Sequence, residues 1–129
     1  MEILLKEFHR VRPDTKIGII TLLPPSSSQD AFGYNYGCSL KRWTYRKTQH
    51  RVLEREYATF AGREADNTFI IPAYVNLDTV HNVILYKAPA NARCPEQIVR
   101  QGNGVHPSSP GYQQLADSIY CWLKGTLAK

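Results

Sequence analysis

Apolar residues recur at helical spacing over residues 2–12, where Ile3, Leu4, Phe8 and Val11 share one face, and the pattern ends at Pro13. Asp14-Thr15 turns the chain. The next apolar stretch has no period: Lys16-Ile17-Gly18-Ile19-Ile20-Thr21-Leu22-Leu23 is continuous and rich in branched side chains. Such a run reads as a strand covered on both faces, the pattern of parallel sheets. Pro24-Pro25 stops it. Residues 26–40 predict a long loop, with three serines followed by Gly33-Tyr34-Asn35-Tyr36-Gly37, whose aromatic rings need something to pack against. Helical spacing returns over residues 42–62, with Trp43, Val52, Leu53, Tyr57 and Phe60 as core positions. Asn67-Thr68-Phe69-Ile70-Ile71 predicts a second covered strand, stopped by Pro72. Val83-Ile84-Leu85-Tyr86 reads as an edge strand or half a hairpin, and residues 87–102, with Pro89, Pro95 and Gly102, read as irregular. A last helix runs to residue 127: Ser109 caps it, Pro110 suits its first turn, and Tyr112, Leu115, Ala116, Ile119, Tyr120, Trp122 and Leu123 form its apolar face.

Helix, strand, helix, strand and helix in that order predict α/β layering around a mainly parallel sheet. Two covered strands cannot close such a sheet, because each needs neighbours on both sides. The pattern is that of the back half of a three-layer α/β/α domain. At 129 residues, 43% hydrophobic and 21% charged, the chain has the length and composition of a single globular domain. No apolar run approaches the roughly 18 residues of a membrane span, and the charges among the first eight residues are unlike those of a signal peptide.

Cys38, Cys94 and Cys121 are odd in number and lack metal-ligand spacing, so they predict free thiols, or one bridge at most, and no metal site or other cofactor. His9, His50 and His81 are scattered and read as surface or local structural residues. The net charge is +5 and the pI about 9.2. Seven of the 16 basic residues fall between Lys41 and Arg63, a cluster that raises the question of an anionic partner. Glu54, Glu56 and Glu64 are interleaved with them, which predicts a solvated helix face and no nucleic-acid partner.

The most informative stretch is Asn103-Gly104-Val105-His106-Pro107, followed by Gly111-Tyr112 and by Leu115-Ala116-Asp117. It resembles the last conserved block of the SGNH (GDSL-type) esterase and lipase family, in which an acidic residue, two others, histidine and proline precede Gly-Tyr and a closing helix. The upstream order of elements is similar as well, from the strand ending at Leu23-Pro24-Pro25 to Val75-Asn76-Leu77-Asp78. The resemblance spans essentially all 129 residues as the C-terminal part of the family's flavodoxin-like domain, with the N-terminal nucleophile half absent.

What it implies is serine-dependent hydrolysis of an acyl or acetyl ester, on a carbohydrate or lipid, with His106 as the general base. Asn103 stands where the family has aspartate, as a possible orienter of the ring or a turn-former before Gly104, and Asp78 is a substitute carboxylate or a loop cap. The family's Gly-Asp-Ser nucleophile motif does not occur in the chain. Gly33-Tyr34-Asn35 spells the family's Gly-x-Asn motif but follows the strand at 16–23, out of the family's order. Ser26, Ser27 and Ser28 lack the glycine-flanked strained turn that presents a nucleophile, and Ser108 and Ser109 suit a helix cap. The expectation is a chain inactive until a second polypeptide complements it. The rival expectation is a non-catalytic structural or carbohydrate-binding module, paired with a second copy through its exposed strand edges.

Overall fold

The computed structural model describes residues 1–128. Helix α1 (Glu2–Val11) leads into strand β1 (Ile17–Ile20), helices α2 (Gln29–Tyr36) and α3 (Lys41–Phe60), and strand β2 (Thr68–Ile71). A hairpin of β3 (Leu85–Asn91) and β4 (Cys94–Gln101) follows, and α4 (Ser109–Leu127) closes the order; short 3-10 turns span Glu64–Asp66 and Ala73–Val75. β1 and β2 pair in parallel, with Ile17 opposite Thr68 and Ile20 opposite Ile71. Among the described residues no third strand joins them. The chain is therefore a mixed α/β protein with a small parallel sheet.

Alternation along each strand sends successive side chains to opposite faces. Ile17, Ile19 and Ile70 meet Leu5 of α1 and Phe60 of α3 on one face. Gly18 and Phe69 face α4, where the Trp122 ring lies edge-on to Phe69 with centroids 5.9 Å apart. A Cβ at Gly18 would come within 2.8 Å of that indole, so glycine there is what lets the helix lie against the strand. The inner line of α4 is Gly111, Leu115, Ser118 and Trp122, narrower than the predicted face: Tyr112 and Tyr120 are exposed. Its N-cap is Ser108, one residue earlier than expected, and Ser109 and Pro110 occupy the first turn.

Four expectations are corrected. The helical stripe of α1 turns away from the sheet: Leu5 is buried, whereas Ile3 is 79% and Phe8 58% exposed. Trp43, a predicted core position, is 73% exposed. The predicted loop at 26–40 contains α2, capped by Ser28 Oγ accepting from Asp30 N at 3.0 Å and ended by Gly37 at φ 66°. The left-handed C-cap suits glycine, which has no Cβ to clash. Residues 87–102, predicted irregular, are most of an antiparallel hairpin whose two-residue turn is held by Asn91 Oδ1, which accepts from Arg93 N at 2.9 Å.

Candidate active site

His106 lies on a loop pinned from several sides. The Asn103 Oδ1 accepts the N–H groups of Val105 (3.0 Å) and His106 (2.9 Å), an Asx-type turn that sets the loop's shape. Gly104 donates its N–H to Asn35 Oδ1 at 2.5 Å and accepts from Ser26 N at 3.0 Å. Pro107 forms an antiparallel bridge with Val83, and Ser108 N donates to Asn82 O at 3.0 Å. Ser26 and Asn35 follow the carboxyl end of β1, and residues 82–83 follow that of β2. The loop thus sits beyond the carboxyl ends of both parallel strands, the side on which open α/β sheets hold ligands. The His106 side chain is exposed and makes no hydrogen bond or ion pair among the described residues.

Asn103 holds the loop rather than the ring. Both lone pairs of its carboxamide oxygen are taken by backbone donors, and the remaining atom, Nδ2, can only donate. Asn35, in the out-of-order Gly33-Tyr34-Asn35 segment, is brought to this loop through Gly104. The serines do not converge on His106. Ser26 is buried with an unpartnered hydroxyl, Ser27 contacts the Gln101 amide, Ser28 caps α2, and Ser108 makes no side-chain cap bond.

A second loop with the same spacing lies beside the first; its histidine, expected to be a surface or local structural residue, is exposed and bonded locally to Asp78. Asp78 Oδ1 accepts the N–H groups of Val80 (2.8 Å) and His81 (3.0 Å), while Oδ2 meets His81 Nδ1 at 3.0 Å. Asp78 is a loop cap and a histidine partner at once. The N–H groups of His81 and Val80, and then the His81 ring, hold its carboxyl below the usual carboxylate range. Asp78-Thr79-Val80-His81 repeats the acidic–x–x–His pattern, a signal present in the sequence, and here the acid is intact.

Gln101, two residues before Asn103, ties the second loop to the serine segment. Its amide nitrogen donates to Thr79 O (2.8 Å) and Val80 O (2.9 Å), and its oxygen accepts from Ser28 N (2.7 Å). On the other side of Gly104 lies Phe32, fully buried, which packs on Tyr36 and Tyr45 at centroid distances of 5.8 and 5.7 Å. Those two tyrosines help to line a mostly apolar cleft of about 460 Å³, with Leu22, Lys41, Thr44 and Thr48. The cleft is separated from the histidine loop by one aromatic ring.

Cys38, Cys94 and Cys121 are free thiols, and no cluster of three metal-ligating side chains occurs among the described residues. No helix among them is long and apolar enough to cross a membrane. Comparison with models of protein families, with curated proteins and with solved structures returns no match.

Proposed function

We propose that this chain carries the general-base loop of an SGNH-type ester hydrolase site, with the serine nucleophile supplied by residues outside these 129. The observation that carries the reading is the exposed His106 imidazole on a rigid loop beyond the carboxyl ends of the parallel pair. In such a site Nε2 takes the serine hydroxyl proton as the serine oxygen attacks the acyl carbon, then returns it to the leaving alcohol; a water repeats the sequence to free the acid. The aromatic cleft beside the loop suits an acyl chain or the apolar face of a sugar.

Nε2 can accept only if Nδ1 keeps its proton. An aspartate at 103 could accept a hydrogen bond from that N–H, whereas the Asn103 Nδ2 cannot, so Asn103 weakens the base by leaving its tautomer unassisted. A second reading assigns the base to His81, favoured by the 3.0 Å contact of its Nδ1 with Asp78 Oδ2.

The chain alone is expected to hydrolyse p-nitrophenyl acetate no faster than buffer. The test is to express it joined to the coding sequence that precedes its first codon and repeat the assay. A general base contributes about 10²- to 10⁴-fold. Loss of that size in His106→Ala, with His81→Ala unaffected and Asn103→Asp faster, supports the first reading, and loss in His81→Ala alone supports the second. Absence of activity in the joined protein, or equal rates in both alanine variants, overturns both.

A further inference from the structure

We propose that the outer face of α3 binds single-stranded nucleic acid, with the cations of one helical stripe on successive phosphates and Trp43 stacked on a base. This does not rest on the ester-hydrolase reading. Arg42, Arg46 and His50 follow one another at four-residue steps, and Trp43, Lys47 and Arg51 form the neighbouring row. With a rise of about 1.5 Å per residue, side chains in a row recur about every 6 Å, a repeat that an extended sugar–phosphate chain can follow. The two rows line one surface groove of about 670 Å³.

The acids that the sequence interleaves with this cluster lie mostly elsewhere. Glu56 accepts the N–H of Leu22 at 3.1 Å on the sheet side, and Glu64 belongs to the 3-10 turn beyond the helix. Only Glu54 remains in the groove. Among the described residues, Arg42, Arg46, Lys47 and Arg51 make no ion pair, whereas Arg10, Arg63 and Arg100 each hold a carboxylate at 2.6 to 2.9 Å. Most of the chain's described cations are unpaired; what sets this face apart is that four of them line one groove with a single carboxylate, Glu54, among them. Arg42 adds one sign of an absent acceptor. Its Nε is buried without a hydrogen-bond partner, and partial burial, then repulsion from Arg46, lowers its pKa.

Three features choose among polyanions. The stripe holds three arginines to one lysine, and the planar guanidinium fork matches phosphate oxygens. Trp43 is 73% exposed and packs on no other aromatic ring, a placement that suits stacking on a base. A ring stacks on a base only where that base is unpaired, which favours a single strand over a duplex.

The test is fluorescence anisotropy of labelled oligothymidylate and oligouridylate with the 129-residue chain over a range of salt. Three or four neutralised phosphates give a slope of log affinity on log salt of about −2 to −3. Replacing Arg42 and Arg46 together by glutamine is expected to weaken binding at least about tenfold and to flatten that slope by about 1 to 1.5. Trp43→Ala is expected to lose about fivefold or more, with Trp43→Phe restoring most of it. Lys47→Gln, an exposed change, stands in if the double variant loses its circular-dichroism spectrum, and is expected to flatten the slope by about 0.7. Absence of binding at low salt, equal affinity for a duplex of the same length, equal affinity for heparin without dependence on Trp43, or unchanged affinity in the variants overturns the proposal.

Discussion

Asp78 and Asn103 make the same turn with the same atom and differ at one other. Each Oδ1 accepts the N–H groups two and three residues on, and each turn ends on a histidine. At position 78 the second atom is an oxygen, which meets the ring at 3.0 Å; at 103 it is a nitrogen. The loop at 103–107 was legible in the sequence from its motif, and that its side chain shapes the backbone is consistent with the turn-forming role weighed there. The His81 pairing carried the same spacing, but no neighbouring Pro and Gly-Tyr marked it as a motif. Gly111 shows how tightly this region is built. A Cβ there would meet Pro107 Cβ at 2.7 Å and crowd the carbonyl of Asn82. In an open helix, alanine would add about 1 kcal/mol over glycine; here overlap prevails. Gly111→Ala is expected to destabilise by about 1–3 kcal/mol, read as a lower urea midpoint with an unchanged slope, and a rise in stability would contradict the packing described.

At the scale of elements, what the sequence disclosed tracks how much of each element is buried. β1 and β2 were legible because both of their faces are covered, so their apolar runs are continuous. The β3–β4 hairpin was largely hidden because little of it is buried: Val99 is 61% exposed, and Pro89 and Pro95, which read as breaks in the sequence, lie inside the strands. β3 does alternate, but its half-buried positions are Tyr86, Ala88 and Ala90, too small and polar a set to stand out as an apolar face. Helix α2 is masked in the sequence by Gly33 and by tyrosines of weak helix preference, although its cap, Ser28, and its stop, Gly37, stand there. The hairpin's anchor is polar, which hydrophobic patterning cannot disclose. Gln101 is 6% exposed and binds both the serine segment and the 79–80 carbonyls. Removing it strands backbone groups without partners, at about 1–3 kcal/mol for each group left buried. Gln101→Ala is therefore expected to lower the urea midpoint and speed amide exchange at Ser28, while exchange in β1 and β2 follows only the global loss; uniform acceleration would show that the knot is not local.

At the scale of the whole molecule, the surface area is the informative quantity. The chain exposes 8814 Å², whereas a compact monomer of its 14.7 kDa would expose about 6,900 Å². The excess on this one chain is about twice the roughly 800 Å² that each partner buries in a standard protein interface. Part of it is apolar and contiguous in sequence: Ile3, Leu4, Phe8 and Val11 on α1 all point outward, beside a two-stranded sheet with open edges. The expected outcome is association of the isolated chain at micromolar concentration, seen in sedimentation velocity and reduced by Phe8→Glu with Leu4→Glu. A monomer with a sharp cooperative melt would contradict it.

The ties that hold the histidine loop also set an order of events. Gly104 is bound to Asn35 across 69 residues, and Gln101 to Ser28 across 73. Contacts so far apart in sequence close late, after the entropy of the intervening chain has been overcome. On a ribosome residues 101–104 emerge after their partners, so the segments around Ser28 and Asn35 wait with their half of the bonds unmade. The turns at Asp78 and Asn103 close within three residues, so each histidine's own turn can form early and its seat against the rest of the molecule comes last.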